Sequence, residues 1–442
     1  MKIGITGPIS EVNFGDYGML INNVYDLGNK HQYKFFYYKR KGVTEFDNIV
    51  NEYFDDYNIE KVNVKFKPQN KKSEKRSFIN KVINKLTRKG IRYLNLMRVA
   101  KPFEHLTPLE LLDRVDGYVT LKKSIEELDI LIVNGGGYFN ILWSSWSRKE
   151  DLYKIMVPIL IANQLNKKIF FTGNSYGPFD SSHEFYRMFF KGLKNTKFGV
   201  RDQLLSESYL NDMGIKEKTI VVIPDDLLVL NKKIINSENN LGLEKNSYVV
   251  IETYVSIEKL EQYKINIISM LRTLQVKYNK KIVFLPFQKG NGGENQGKYF
   301  KTLTPNKEMF HMYDINEKGF PELNDVYNLI SNASLVIGTR YHTMVIALGA
   351  KTPVVNTMKL VLGDYRYYYN KNFGVLNMVF KKQSFEAKEF LFFKQEEMFL
   401  HIENNFLEII SEQTKLFGPV YDLNMKYLKS LRSSFFSEII KS

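Results

Sequence analysis

Residues 335–353 read LVIGTRYHTMVIALGAKTP. Four residues, LVIG, have the uninterrupted apolar character of a strand buried on both faces. The chain then turns through Thr339 and Arg340, and from His342 to Leu348 apolar residues recur at helical spacing. Pro353 opens a second apolar run. Strand, helix and strand in this order form a unit of a parallel sheet covered by helices. The first turn of such a helix leaves backbone N–H groups without partners, and anions settle there. Arg340 supplies a planar fork for a phosphate or carboxylate, and His342 a group that exchanges a proton near neutral pH. These two residues are therefore expected at the chemical centre.

Working outward, the same alternation fills the chain. Strands are expected at 2–6, 33–38, 130–134, 169–173, 198–201 and 220–223, then at 248–254, 281–286, 335–338 and 353–356, with helices at 260–276, 324–331 and 342–348. A polar stretch at 231–246, rich in Asn, Lys and Glu, separates the two series. The fold class is thus α/β: two doubly wound, Rossmann-like domains, 1–232 and 233–395, whose strand C-terminal ends face a shared cleft. Residues 396–442 carry two helical patterns expected to pack back across both domains.

Other stretches join that cleft. IVNGGGYFN (132–140) sets Gly135, Gly136 and Gly137 after a strand, where backbone can approach a ligand closely or simply turn. The spacing is not that of a dinucleotide fingerprint. FTGNSYGP (171–178) brings Asn174 and Ser175 to a second strand end. GVRDQLLSESYL (199–210) repeats the Arg340 arrangement with Arg201, which either pairs with Asp202 or Asp225 or joins Arg340 in clamping one small polyanion. In NFGDYG (13–18), Asn13 and Asp16 lie in the first strand-to-helix loop, where Asp16 can accept a sugar hydroxyl or cap the helix. QKGNGGENQG (288–297) is expected to be a mobile loop over the cleft.

Composition sets the limits. At 442 residues the chain exceeds one core, and 44% hydrophobic residues with no cysteine exclude disorder, disulfides and thiolate chemistry. The N-terminal apolar run is too short for a secretory signal and no run reaches the roughly 18 residues of a membrane span, so a cytoplasmic location is expected. Of the net charge of +15, residues 61–101 carry 14 Lys and Arg against one acid, Glu74. Within that run, 71–97 has the pattern of a basic amphipathic helix. It reads either as a solvated face or as an attachment to an anionic membrane, on the inner face of the cytoplasmic membrane. Charge so local does not indicate nucleic-acid binding. The six histidines do not cluster with acids, so no metal and no cofactor are expected.

Taken in order, NFGD, NGGGYFN, GNSYGP, VRDQLLSESYLNDMG, IPDD and GTRYHTMVIALGAKTPV resemble the polysaccharide pyruvyl transferase family. The resemblance runs from about residue 1 to 360, with 61–101 looking like an insertion. It implies a GT-B-like fold and a reaction in which phosphoenolpyruvate gives its pyruvyl carbons to two hydroxyls of one sugar in a cell-surface polysaccharide precursor. A pyruvate ketal forms and phosphate leaves. It further implies donor contacts from Arg201, Arg340 and His342, with Asn13, Asp16, the three glycines, Asn174, Ser175 and Tyr341 lining the substrate site. A lysine after the GxPv element belongs to the family pattern, and Lys359 falls about three residues early for it. The acceptor implied is a sugar or a polyprenol-linked oligosaccharide. Two rival readings stand beside this one: a GT-B glycosyltransferase with a nucleotide-sugar donor, and a membrane-attached scaffold with a decayed site.

Overall fold

The computed structural model describes residues 1–9, 13–38, 45–68, 106–145, 148–203, 205–235, 242–361 and 363–442. Its framework is two parallel sheets. The first comprises β1 (Lys2–Thr6), β2 (Gln32–Tyr37), β3 (Asn58–Asn63), β4 (Ile130–Val133), β5 (Gly136–Phe139), β6 (Lys168–Tyr176), β7 (Thr196–Val200) and β8 (Ile220–Val222), in the order β3-β2-β1-β4-β6-β7-β8 with β5 on β6. The second comprises β9 (Tyr248–Ile251), β10 (Lys281–Phe284), β11 (Phe310–Met312), β12 (Leu335–Gly338), β13 (Val354–Thr357) and β14 (Leu391–Phe392), in the order β11-β10-β9-β12-β13-β14. Both orders step outward from a central strand and then reverse, which opens a crevice beyond the strand C-terminal ends.

The central strands are apolar because helices cover both faces: every residue of ILIV in β4, YVVI in β9 and LVIG in β12 is buried. One core lies between the two sheets and draws on both, joining Ile5, Phe14 and Leu20 to Val336, Met344 and Phe380. Two further cores fill the outer faces. The helix Pro419–Lys441 leaves the second sheet's side, where the Tyr421 hydroxyl donates to the Leu348 carbonyl, and ends on the first sheet's side. There Arg432 binds Asp26 at 2.6 Å, Asp226 at 2.7 Å and Asn23 Oδ1 at 2.8 Å.

Several expectations need correction. The glycine stretch after β4 is not all loop, since Gly136–Phe139 pairs with β6. The stretch 288–297 is half helix, with Glu294–Leu303 beginning inside it and Gln288 and Gly292 fastened to Arg340. The helix Arg366–Val379 was not expected at all. The basic run begins inside the sheet, because residues 61–63 belong to β3 and Phe66 bridges to Val115. The amphipathic helix expected at 71–97 lies outside the described residues.

Candidate active site

The crevice between the strand ends holds a cavity of about 520 Å³ whose lining includes Asn13, Asp16, Gly137, Arg201, Arg340, Tyr341, His342, Lys359 and Lys371. Arg340 stands where β12 gives way to the helix Tyr341–Gly349. The anion at this helix start is the protein's own. Glu252, at the end of β9, accepts the backbone N–H of Thr339 at 3.1 Å and of Arg340 at 2.9 Å, the Arg340 Nε at 3.1 Å and the Thr343 hydroxyl at 3.2 Å. Glu252 thus takes the two amides that precede the helix, those of Thr339 and Arg340. It fixes the guanidinium plane, while Arg340 Nη1 reaches across the crevice to Asn13 Oδ1 at 3.2 Å and the group lies 4.4 Å from the centre of the Tyr254 ring. Burial pushes the Glu252 carboxyl up and Arg340 opposes it.

Arg201 follows β7 and is almost wholly enclosed. Its Nε donates to Ser175 at 2.7 Å and its Nη1 pairs with Asp225, leaving Nη2 toward Gly137. Of the two readings open in the sequence, the ion pair is present, with Asp225, and Arg201 also lines the cavity. Asp202 is not its partner but accepts the N–H groups of Leu205 and Ser206. The Tyr341 ring lies 4.5 Å from the Arg201 guanidinium.

His342 packs against the first helix so tightly that a Cβ on Gly15 would fall 1.8 Å from its Nδ1. Its Nε2 is buried without a hydrogen-bond partner among the described residues. Burial first, then the Arg201 guanidinium, hold its pKa well below the ordinary value, so the imidazole is neutral. Asp16 does not serve as a cap. Its carboxylate accepts Asn13 Nδ2 at 3.1 Å and lines the cavity, where burial pushes it up to about 6 against Asn13, Arg148, Arg340 and Lys371.

Not every expected residue reaches the cavity. Of the three glycines only Gly137 lines it, and its carbonyl accepts the Tyr367 hydroxyl at 2.8 Å. Gly135 is small for a packing reason, since a Cβ there would lie 2.1 Å from the Asp226 carboxylate, and Gly136 sits behind the wall at φ 149°. Asn174 is buried within β6 with its Nδ2 on the Thr172 carbonyl, and Ser175 acts through Arg201. Lys359 does line the cavity, but at its exposed rim, 4.9 Å from the Tyr254 ring.

The sequence reading missed Glu252 and Lys371. The second left a signal: in YRYYYNK, Tyr367 and Tyr368 precede Lys371 by four and three residues, the spacing that stacks side chains on one helix face.

A family model described as polysaccharide pyruvyl transferase matches residues 33–357. No curated protein matches the chain by sequence. Among solved structures, the chain resembles a UDP-GlcNAc 2-epimerase from Neisseria meningitidis bound to UDP-GlcNAc, at 12% identity and a TM-score of 0.52, over 98% of this chain and 99% of that one. The MnaA–UDP complex of S. aureus gives 10% identity and a TM-score of 0.53 over 95% and 92% of the two chains. The spinosyn rhamnosyltransferase SpnG gives 9% and 0.52 over 100% and 99%. At such identities the likeness is one of fold, and the fold is GT-B.

Proposed function

Since the chain belongs to the polysaccharide pyruvyl transferase family, we propose that its cavity takes phosphoenolpyruvate as donor and moves the pyruvyl carbons onto two hydroxyls of one sugar in a polysaccharide precursor. The observation that carries this reading is the meeting of Arg201 from one sheet and Arg340 from the other at a single cavity beside a neutral His342. Each arginine is held in place by a carboxylate, Asp225 or Glu252; Arg201 keeps its Nη2 for a small polyanion, while Arg340, whose Nη2 is engaged by Gln288 and the Gly292 carbonyl, offers its Nη1 beside Asn13. The donor is a trianion at most, with a carboxylate and a phosphate for the two forks.

The chemistry forms one C–H bond and two C–O bonds and breaks the bond from the central carbon to the phosphate oxygen. Of the two hydroxyl protons, one balances the proton gained by the methylene carbon and the other leaves with phosphate. The neutral His342, with its unpartnered Nε2, accepts a proton from the attacking hydroxyl. Incubation with phosphoenolpyruvate and diol-bearing sugar acceptors should release inorganic phosphate and give a product that mass spectrometry reads as ketal-bound pyruvate. Release of a nucleoside diphosphate from nucleotide sugars instead would move the assignment to glycosyl transfer.

The basic run at 61–101 we assign to an anionic membrane face, where a polyprenol-linked acceptor would be presented. At about 1 kcal/mol for each basic residue near the surface, half of the 14 suffice for adsorption. The protein should sediment with anionic vesicles at low salt and not with neutral ones; recovery in the supernatant with both would reduce the run to a solvated segment.

A further inference from the structure

The pyruvyl transfer just proposed requires a proton acceptor for the sugar hydroxyl and a proton donor for the methylene carbon. His342 is neutral and serves the first task. Lys371, on the inner face of the helix Arg366–Val379, is the group left over. It is buried, it lines the same cavity, and among the described residues no hydrogen bond or ion pair engages its nitrogen. Its surroundings are three rings: Nζ lies 4.3 Å from the centre of Tyr368, 4.4 Å from Tyr367 and 5.1 Å from Tyr341. A buried lysine with no carboxylate on it is not an element of stability. The cage is itself fixed: the Tyr367 hydroxyl donates to the Gly137 carbonyl and the Tyr368 hydroxyl shares a hydrogen bond with the Tyr254 hydroxyl, each at 2.8 Å. The aromatic faces keep the amine in place and favour its charged form once a counter-anion is present.

We propose that Lys371 is the proton carrier toward the donor: held by its three rings beside Arg201 and Arg340, its amine takes up a proton as the donor's anionic groups arrive and passes it to the methylene carbon. The charges that face it set this order. Burial and then Arg201 and Arg340 disfavour the ammonium, while Asp16 from the first helix and Asp225 after β8 oppose them, and the balance holds the amine well below its ordinary pKa. An added polyanion reverses the sign. In the transfer the Nζ–H bond breaks as the C–H bond forms. The first hydroxyl then adds to the central carbon and loses its proton to His342, from which the amine is resupplied. The second hydroxyl displaces phosphate, which carries the other proton away.

Although the proposal rests on the donor assigned above, its test does not depend on that donor. Calorimetric titration at pH 8 in buffers of different ionisation enthalpy counts protons taken up, with phosphoenolpyruvate and inorganic phosphate as separate probes. Wild type should take up close to one proton with either anion, and His342→Gln should still do so. Lys371→Arg keeps the charge and cannot release a proton. It should bind with uptake near zero, with KM changed by no more than a few fold and kcat lower by at least about a hundredfold. Lys371→Met, smaller than the arginine if the cage rejects that side chain, should bind phosphate without uptake. Wild-type uptake of phosphate but no binding of phosphoenolpyruvate would support the carrier and refute the donor. Wild-type proton counts and turnover in Lys371→Arg, or binding of neither anion by wild type, would overturn the proposal.

Discussion

At the scale of the residue, the site is built from side chains that hold one another in place. Arg340 illustrates this best, since the residue expected to carry function was legible and the one that positions it was not. Glu252 stands 88 positions earlier and accepts both the backbone and the guanidinium of Arg340. Nothing in the local sequence around TYVS or TRYH announces that pairing, because it exists only where β9 and β12 lie side by side. Gly15 is a similar case. Glycine in a helix costs about 1 kcal/mol against alanine, so its presence in the first turn of Phe14–Leu27 needs a cause, and the cause is the imidazole of His342 lying where a Cβ would go. Gly15→Ala should therefore leave the helix intact and displace the ring. Since a misplacement of about 1 Å can cost a hundredfold in rate, turnover should fall by about that factor while the thermal midpoint moves by no more than a few degrees. Near-normal kcat in this variant would remove the present position of His342 from the mechanism.

At the scale of the element, two helices decide whether the site is complete. Arg366–Val379 carries Tyr367, Tyr368 and Lys371, yet it escaped the sequence reading for a physical reason. Its buried face includes Lys371, Asn372 and Gly374 among the apolar residues, so hydrophobic periodicity fades where the site is formed. The small residue there is required as well, because a Cβ on Gly374 would lie 2.4 Å from that of Asp202 on the facing domain. The helix Pro419–Lys441 was legible as a helix, but its task was not. Arg432 is 2% exposed and neutralises Asp226, a fully enclosed carboxylate that also accepts Thr172 Oγ1 at 2.7 Å and Asn23 Nδ2 at 2.9 Å. Removing one member of a buried ion pair strands the other charge, at a cost of about 3–5 kcal/mol. Arg432→Leu should lower the unfolding free energy by that amount, read as a shift of the denaturant midpoint. A shift under about 1 kcal/mol, the scale of an exposed pair, would mean that Asp226 is not dependent on this helix.

At the scale of the whole molecule, both sheets could be read from the sequence because parallel strands buried on two faces are continuous apolar runs, as in ILIV and YVVI. The edge strand NIEKVN was hidden by the same logic, since half of it faces solvent and its pattern is broken by charge. What no local pattern carries is the crossing of partners between halves: Asn13 with Arg340, Tyr17 with the Pro321 carbonyl, Arg432 with Asp226. The last of these has a bearing on how the protein is made. Asp226 and Arg432 are separated by 206 positions, and at roughly 5–20 residues per second a ribosome needs about 10–40 s to travel from one codon to the other. During that interval the first domain has left the exit tunnel with a buried acid and no cation to meet it. Nascent chains should consequently rely on chaperones until the codons of the helix Pro419–Lys441 are read, and a premature stop before Arg432 should be felt in the half that was synthesised first.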